Sequence, residues 1–119
     1  MKRRRSSELF DLTDKVIVLT GSAGRLGTNF AHILSDAGAN VILIDIENEK
    51  NKQLEKLISK KYKTKPLACK IDITKKEELS KISKQILKKY GKIDGLVNNA
   101  FFSPRLKIKK SAMKFEEYQ

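Results

Sequence analysis

"LTGSAGRLG" occupies residues 19–27 and places glycines at 21, 24 and 27, directly after the apolar run Val16-Ile17-Val18-Leu19. Glycine adopts positive φ without steric cost, so three of them can simply build a turn. Their setting offers a second reading. They lie between a β-type run and a segment of helical period, so the loop would present the free N–H groups and positive dipole end of a helix beyond the strand. In that reading Gly21 makes the tight turn, Gly24 lets backbone approach phosphate oxygens, and Gly27 lets the helix pack closely on the sheet.

Residues 15–20 (KVIVLT), 40–46 (NVILIDI), 66–71 (PLACKI) and 93–98 (IDGLVN) are rich in Val, Ile and Leu. The first two are nearly continuous in apolar residues, as strands covered on both faces require. Between these runs, Leu26, Phe30, Ile33, Leu34 and Ala37 recur at helical spacing, as do Leu54, Leu57, Ile58 and Tyr62, and then Leu79, Ile82, Ile86, Leu87 and Tyr90. Gly38 and Gly91 stand where left-handed residues end the first and third helices, and Thr74 to Glu77 reads as a capping box opening the third. The pattern β-α-β-α-β-α-β predicts an α/β fold, a doubly wound parallel sheet of strand order 3-2-1-4 with helices on both faces. Chain direction reverses between strands one and four, and ligands of such sheets bind beyond the strand ends at that reversal. Gly21 and Asn98 form its two lips, and strand four is expected to keep a bare outer edge. Residues 1–14 read as a tail and 15–119 as one domain, with an irregular connection at 101–113 and the start of a fourth helix in "KFEEYQ".

Composition narrows the function classes. The 119 residues carry a formal net charge of +12, which raises nucleic acid as a partner. The excess is mostly lysine spread over polar helix faces without interleaved aromatics, so a solvated surface is expected and no nucleic-acid partner. No apolar run approaches the ~20 residues that span a bilayer, and the basic start "MKRRRSSELFDLTDK" is followed by no apolar stretch. Neither membrane association nor export is expected. The single cysteine, Cys69, can form neither an internal disulfide nor a multi-cysteine metal site, and it reads as a small buried hydrophobe in a cytoplasmic protein.

Two carboxylates fall at strand ends. Asp45 follows Gly21 by about two dozen positions, near the spacing at which an acidic residue accepts bonds from the adenosine ribose and repels a 2′-phosphate. NAD is then expected over NADP; the alternative is an Asp that only begins a turn. Asp72 in "KIDIT" either meets an adenine edge or caps the next helix.

Together, "FDLTDKVIVLTGSAGRLG", Asp45, "DIT" at 72–74 and "GLVNNA" at 95–100 resemble the N-terminal, Rossmann half of the short-chain dehydrogenase/reductase family, over nearly the whole chain. The resemblance implies a cofactor site built from Thr20, Gly21, Ser22, Gly24, Arg25, Leu26 and Gly27, from Asp45, from Asp72 and Ile73, and from Asn98, Asn99 and Ala100. Two positions depart from the family pattern. Arg25 stands where the single-domain branch has glycine, giving the Thr-Gly-x-x-Gly-x-x-Gly spacing of the extended branch, and Phe101 replaces the glycine of Asn-Asn-Ala-Gly. Since Asn-Asn-Ala belongs to the shorter branch, the chain reads as a single-domain type with a variant loop.

The family's reaction is hydride transfer between NAD(H) and an alcohol or carbonyl substrate, with a Tyr-x-x-x-Lys pair as acid/base machinery. That pair is missing here. Four places after Tyr62 stands Pro66, four after Tyr90 stands Asp94, and the sequence ends one residue after Tyr118. His32, the lone histidine, reads as packed or surface-exposed within the first helix, so no catalytic residue is assigned. The chain is expected to be the front half of a dehydrogenase, inactive alone; a small non-catalytic nucleotide-binding module is the other reading. Homo-oligomers are expected only with the remaining half. The stretch from Asn98 onward also resembles members associated with surface-polysaccharide or flagellin-modification sugars, which implies a sugar derivative as substrate.

Overall fold

The structure, a computed structural model, describes residues 10–100. Four strands, β1 (Val16–Thr20), β2 (Asn40–Asp45), β3 (Leu67–Lys70) and β4 (Gly95–Asn98), alternate with three helices, α1 (Arg25–Asp36), α2 (Asn48–Lys61) and α3 (Lys76–Tyr90). All strand pairs are parallel and the order is β3-β2-β1-β4, as the alternating pattern predicts. The expected connection at 101–113, the helix start at "KFEEYQ" and Phe101 lie outside the described residues.

Side-chain alternation along the two central strands builds a core on each face. Leu19, Val41 and Leu43 pack with Ala31 of α1 and Leu54 and Ile58 of α2. Val16, Val18, Ile42 and Ile44 point the other way, onto Ile82 and Ile86 of α3. Helix α3 lies on the opposite face because the crossover from β3 to β4 runs back past β1, which places the chain reversal between β1 and β4.

Helix α1 reaches the sheet through small residues. Its buried positions are Gly27, Ala31 and Ser35, whereas Leu26 and Ile33, on the apolar stripe read from the sequence, are 56% and 55% exposed. Gly91 ends α3 at φ 82°, the left-handed cap expected of it. The capping box at Thr74 does not form: α3 begins after Lys75 with no side-chain cap. The Thr74 hydroxyl donates instead to Asp72 Oδ1 at 2.6 Å, and its amide donates to the same oxygen at 3.0 Å. A carboxylate two residues away outcompetes the helix amides for that hydroxyl.

β4 begins two residues later than the apolar run suggests, because Asp94 takes over the pairing. Its amide donates to Val16 O and its Oδ2 accepts from Val16 N, both at 2.8 Å. Before β1, within the stretch read as a tail, the Leu12 amide donates to Ala37 O at 2.8 Å and the Leu12 side chain packs against the core.

Candidate functional site

Beyond the carboxyl ends of the strands the glycine loop folds inward. Gly21 sits at φ 69°, and its amide donates to Ile44 O at 2.8 Å, joined on that oxygen by the Ser22 amide at 3.3 Å. The Ala23 amide donates to Asp45 Oδ2 at 2.9 Å, and the Gly24 amide returns to Gly21 O at 3.3 Å. Four consecutive loop amides are thus used by the protein itself. The donors that remain belong to the first turn of α1, Arg25 to Gly27, which have no partner within a helix. No side chain caps this terminus and no acidic residue stands in its first turn, so the positive end of the helix dipole opens toward the cleft.

The three glycines are not equivalent. A methyl group at Gly27 would overlap the Gly21 carbonyl oxygen outright, and one at Gly21 would lie 2.9 Å from Ala100 Cα. Gly27 therefore serves close approach of α1 to the loop that leaves the end of β1 and to the Asn99 side chain. At Gly24 a Cβ would meet only Gly21 O, at 3.5 Å, an ordinary contact. The fold does not need glycine there, yet Gly24 is exposed and forms part of a cleft wall.

That cleft has a volume of about 530 Å³, within the range of small-molecule and cofactor sites. Of the residues expected at a cofactor site, Gly21, Gly24, Arg25, Leu26, Gly27, Asp45, Asp72, Ile73, Asn99 and Ala100 line it. Asp45 ends β2 with Oδ2 on the Ala23 amide and Oδ1 on the Glu47 amide, both at 2.9 Å. Each carboxylate oxygen has a second lone pair, so ligand hydroxyls can still be accepted. Asp72 closes the turn to Thr74 on the far side.

Thr20, Ser22 and Asn98 do not reach the cleft wall. The Thr20 hydroxyl lies behind it, donating to Asn98 Oδ1 at 3.2 Å and accepting from the Asn99 and Ala100 amides at 3.0 Å each. It fastens the end of β1 to the end of β4, and Asn99 Nδ2 adds a bond to Gly21 O at 3.2 Å. Ser22 is fully buried. Ile46, Glu47 and Lys50, which belong to none of the sequence motifs, form the wall beside Asp45; their only mark in the sequence is their proximity to Asp45. His32 is engaged elsewhere, with Nδ1 3.0 Å from the Tyr62 hydroxyl. Burial, with the Lys61 ammonium nearby, pushes its pKa below the usual histidine value.

The arrangement is the switch-point cleft of a doubly wound α/β domain with a helix N-terminus at its centre and a carboxylate at the end of the second strand. The family model for short chain dehydrogenases matches residues 15–118, and the chain belongs to that family. It is 40% identical over 91 residues to an NAD-dependent glycerol dehydrogenase of Listeria innocua, covering 76% of this chain and 34% of that protein. Among solved structures it resembles a 7α-hydroxysteroid dehydrogenase complexed with NADH and 7-oxo glycochenodeoxycholic acid, at a TM-score of 0.74 and 32% identity over 84% of this chain and 38% of the other. It also resembles an NAD+-bound xylitol dehydrogenase, at a TM-score of 0.72 and 27% identity over 76% of this chain and 35% of the other. The chain spans about a third of the length of the curated relatives it matches. Among the described residues, no helix is long and apolar enough to cross a membrane.

Proposed function

We propose that this chain is the NAD(H)-binding part of a short chain dehydrogenase that moves hydride between the nicotinamide and an alcohol or carbonyl compound. The observation that carries the reading is Gly24: its missing side chain is not required by packing, but it opens the uncapped first turn of α1 to the cleft. A pyrophosphate fits that terminus by charge and by donor supply. The residues that would hold the cofactor are the Arg25 to Gly27 amides for the pyrophosphate, Asp45 for the adenosine ribose, and Asp72 with Ile73 for the adenine.

When bound, the nicotinamide supplies the hydride donor or acceptor. This chain's residues bind and orient. Asp45 accepts ribose hydroxyls, and its charge at the end of β2 disfavours a 2′-phosphate, which supports NAD over NADP. The Thr20 hydroxyl fixes Asn99 and Ala100 on the opposite lip. The proton-transfer pair of the family is not found in this sequence, so residues 1–119 are expected to bind cofactor without turning over substrate. Relatives named for glycerol, xylitol and a steroid support an alcohol or its carbonyl partner as the substrate class of the intact enzyme, within which a sugar derivative is our narrower proposal. Cytoplasmic location and assembly into homo-oligomers with the remaining half complete the reading.

Calorimetric titration of the chain with NAD, NADP and a random DNA duplex at two salt concentrations tests it. Saturable NAD binding, tighter than NADP and weakening with salt far less than binding to DNA would, is expected. Binding of DNA alone, falling steeply as salt rises, would assign the +12 charge to nucleic acid instead.

A further inference from the structure

Asn51 is an amide in a place that packing reserves for an apolar side chain. It shares the buried stripe of α2 with Leu54 and Ile58 and is 1% exposed. Burying an amide is costly unless its hydrogen bonds are made, and here both ends are satisfied. Nδ2 donates to Leu43 O at 2.8 Å, and Oδ1 accepts from the Ser22 hydroxyl at 2.6 Å. The Leu43 carbonyl can only accept, which fixes the amide's orientation and obliges Ser22 to donate. On the other side of Ser22, its carbonyl accepts from the Thr28 hydroxyl at 3.1 Å. One continuous polar chain therefore joins β2, α2, the glycine loop and α1, through a loop residue that is itself 0% exposed.

We propose that Asn51 is a positioning residue for the phosphate-binding loop, registering it on the sheet through Ser22 and Leu43. Ser22 lies between Gly21 and Ala23, whose amides dock on Ile44 and Asp45. Pinning Ser22 sets where Gly24 and the first turn of α1 emerge into the cleft. Asn51 contacts no ligand in this role. It acts through the loop, and the inference rests on the nucleotide reading above.

The phosphate-specific part of binding is therefore what Asn51 should control. Dissociation constants for ADP and for adenosine are measured on the full chain as wild type, Asn51→Leu, Ser22→Ala and the double variant. Either single variant is expected to weaken ADP by about tenfold, the scale of a lost or displaced hydrogen bond to a charged group, while adenosine changes by less than about twofold. The double variant should lose no more ADP affinity than Asn51→Leu alone, because both changes cut the same chain. If Asn51→Leu does not fold, Ser22→Ala, which keeps the Leu43 bond, carries the comparison. Equal losses for ADP and adenosine, or a lowered melting temperature with unchanged ADP affinity, would make Asn51 a purely structural residue. A wild-type chain that binds neither probe overturns the nucleotide reading itself, an outcome distinct from wild-type ADP binding that the variants leave intact.

Discussion

The Ala23 amide donates to Asp45 Oδ2 at 2.9 Å, so the carboxylate that ends the second strand holds the loop that follows the first. Asp45 has two separable tasks, and substitutions should divide them. Asp45→Ala removes the acceptor and the charge, and is expected to lower stability by about 1–2 kcal/mol and to narrow the preference for NAD over NADP. Asp45→Asn keeps an acceptor but not the charge. It should narrow the preference similarly with a smaller loss of stability, as read from paired titrations and thermal melts.

Gly27→Ala places a methyl group into the Gly21 carbonyl, and Gly21→Ala adds a side chain at φ 69° against Ala100. Both should destabilise by about 3 kcal/mol or more, the range of severe overpacking and backbone strain. Denaturant melts followed by circular dichroism measure this. A loss below about 1 kcal/mol at Gly27 would mean that α1 can pull away from the loop.

Asp94 and Val16 exchange two hydrogen bonds at the entrance to the sheet. The Val16 amide, foremost, holds the Asp94 carboxyl below the usual aspartate value, assisted by Lys92 3.2 Å away. A folded-state value below the unfolded one stabilises above the unfolded value and is lost as pH falls through the folded one. Melting temperature should therefore decline as pH drops below about 4, and Asp94→Asn should flatten that decline. Parallel wild-type and variant curves down to acid pH would count against the assignment.

The sheet and its switch point could be read from the chain because strand composition, helical period and glycine position agree at the boundaries that set the topology, as at Gly21 and Gly91. What escaped reading involves competition or distance. Thr74 had two partners open to it, the helix amides and Asp72, and spacing alone does not rank them. Thr20 and Ser22 lie in the glycine motif but turn away from the cleft, toward Asn98 and Asn51, residues 78 and 29 positions away. Asn51 left one trace, a polar residue on the same helical stripe as Leu54 and Ile58. Glu47 and Lys50 enter the cleft wall only because α2 starts immediately beyond Asp45.

Cys69 is a half-buried thiol whose pKa is pushed from 9.0 up to about 11, by burial first and by Glu55 second. At pH 8 it should alkylate far more slowly in the native chain than after denaturation. Because the folded value is raised, the stability it supports is present below the unfolded value and lost between about pH 9 and 11. Cys69→Ala should shallow that alkaline loss in a series of thermal melts. Rapid native alkylation at pH 8 would contradict the raised thiol pKa.

The first turn of α1, opened by Gly24, is expected to bind the cofactor's pyrophosphate. Titrating NAD into wild type and Gly24→Ala tests this, because a Cβ at that position meets only Gly21 O at 3.5 Å, so the variant should fold with no more than the ~1 kcal/mol that alanine costs at an N-cap. Saturable wild-type binding, weakened by about tenfold or more in a folded variant, is the expected result. Equal NAD affinity in the two folded proteins would contradict the claim, as would a wild-type chain that does not bind NAD.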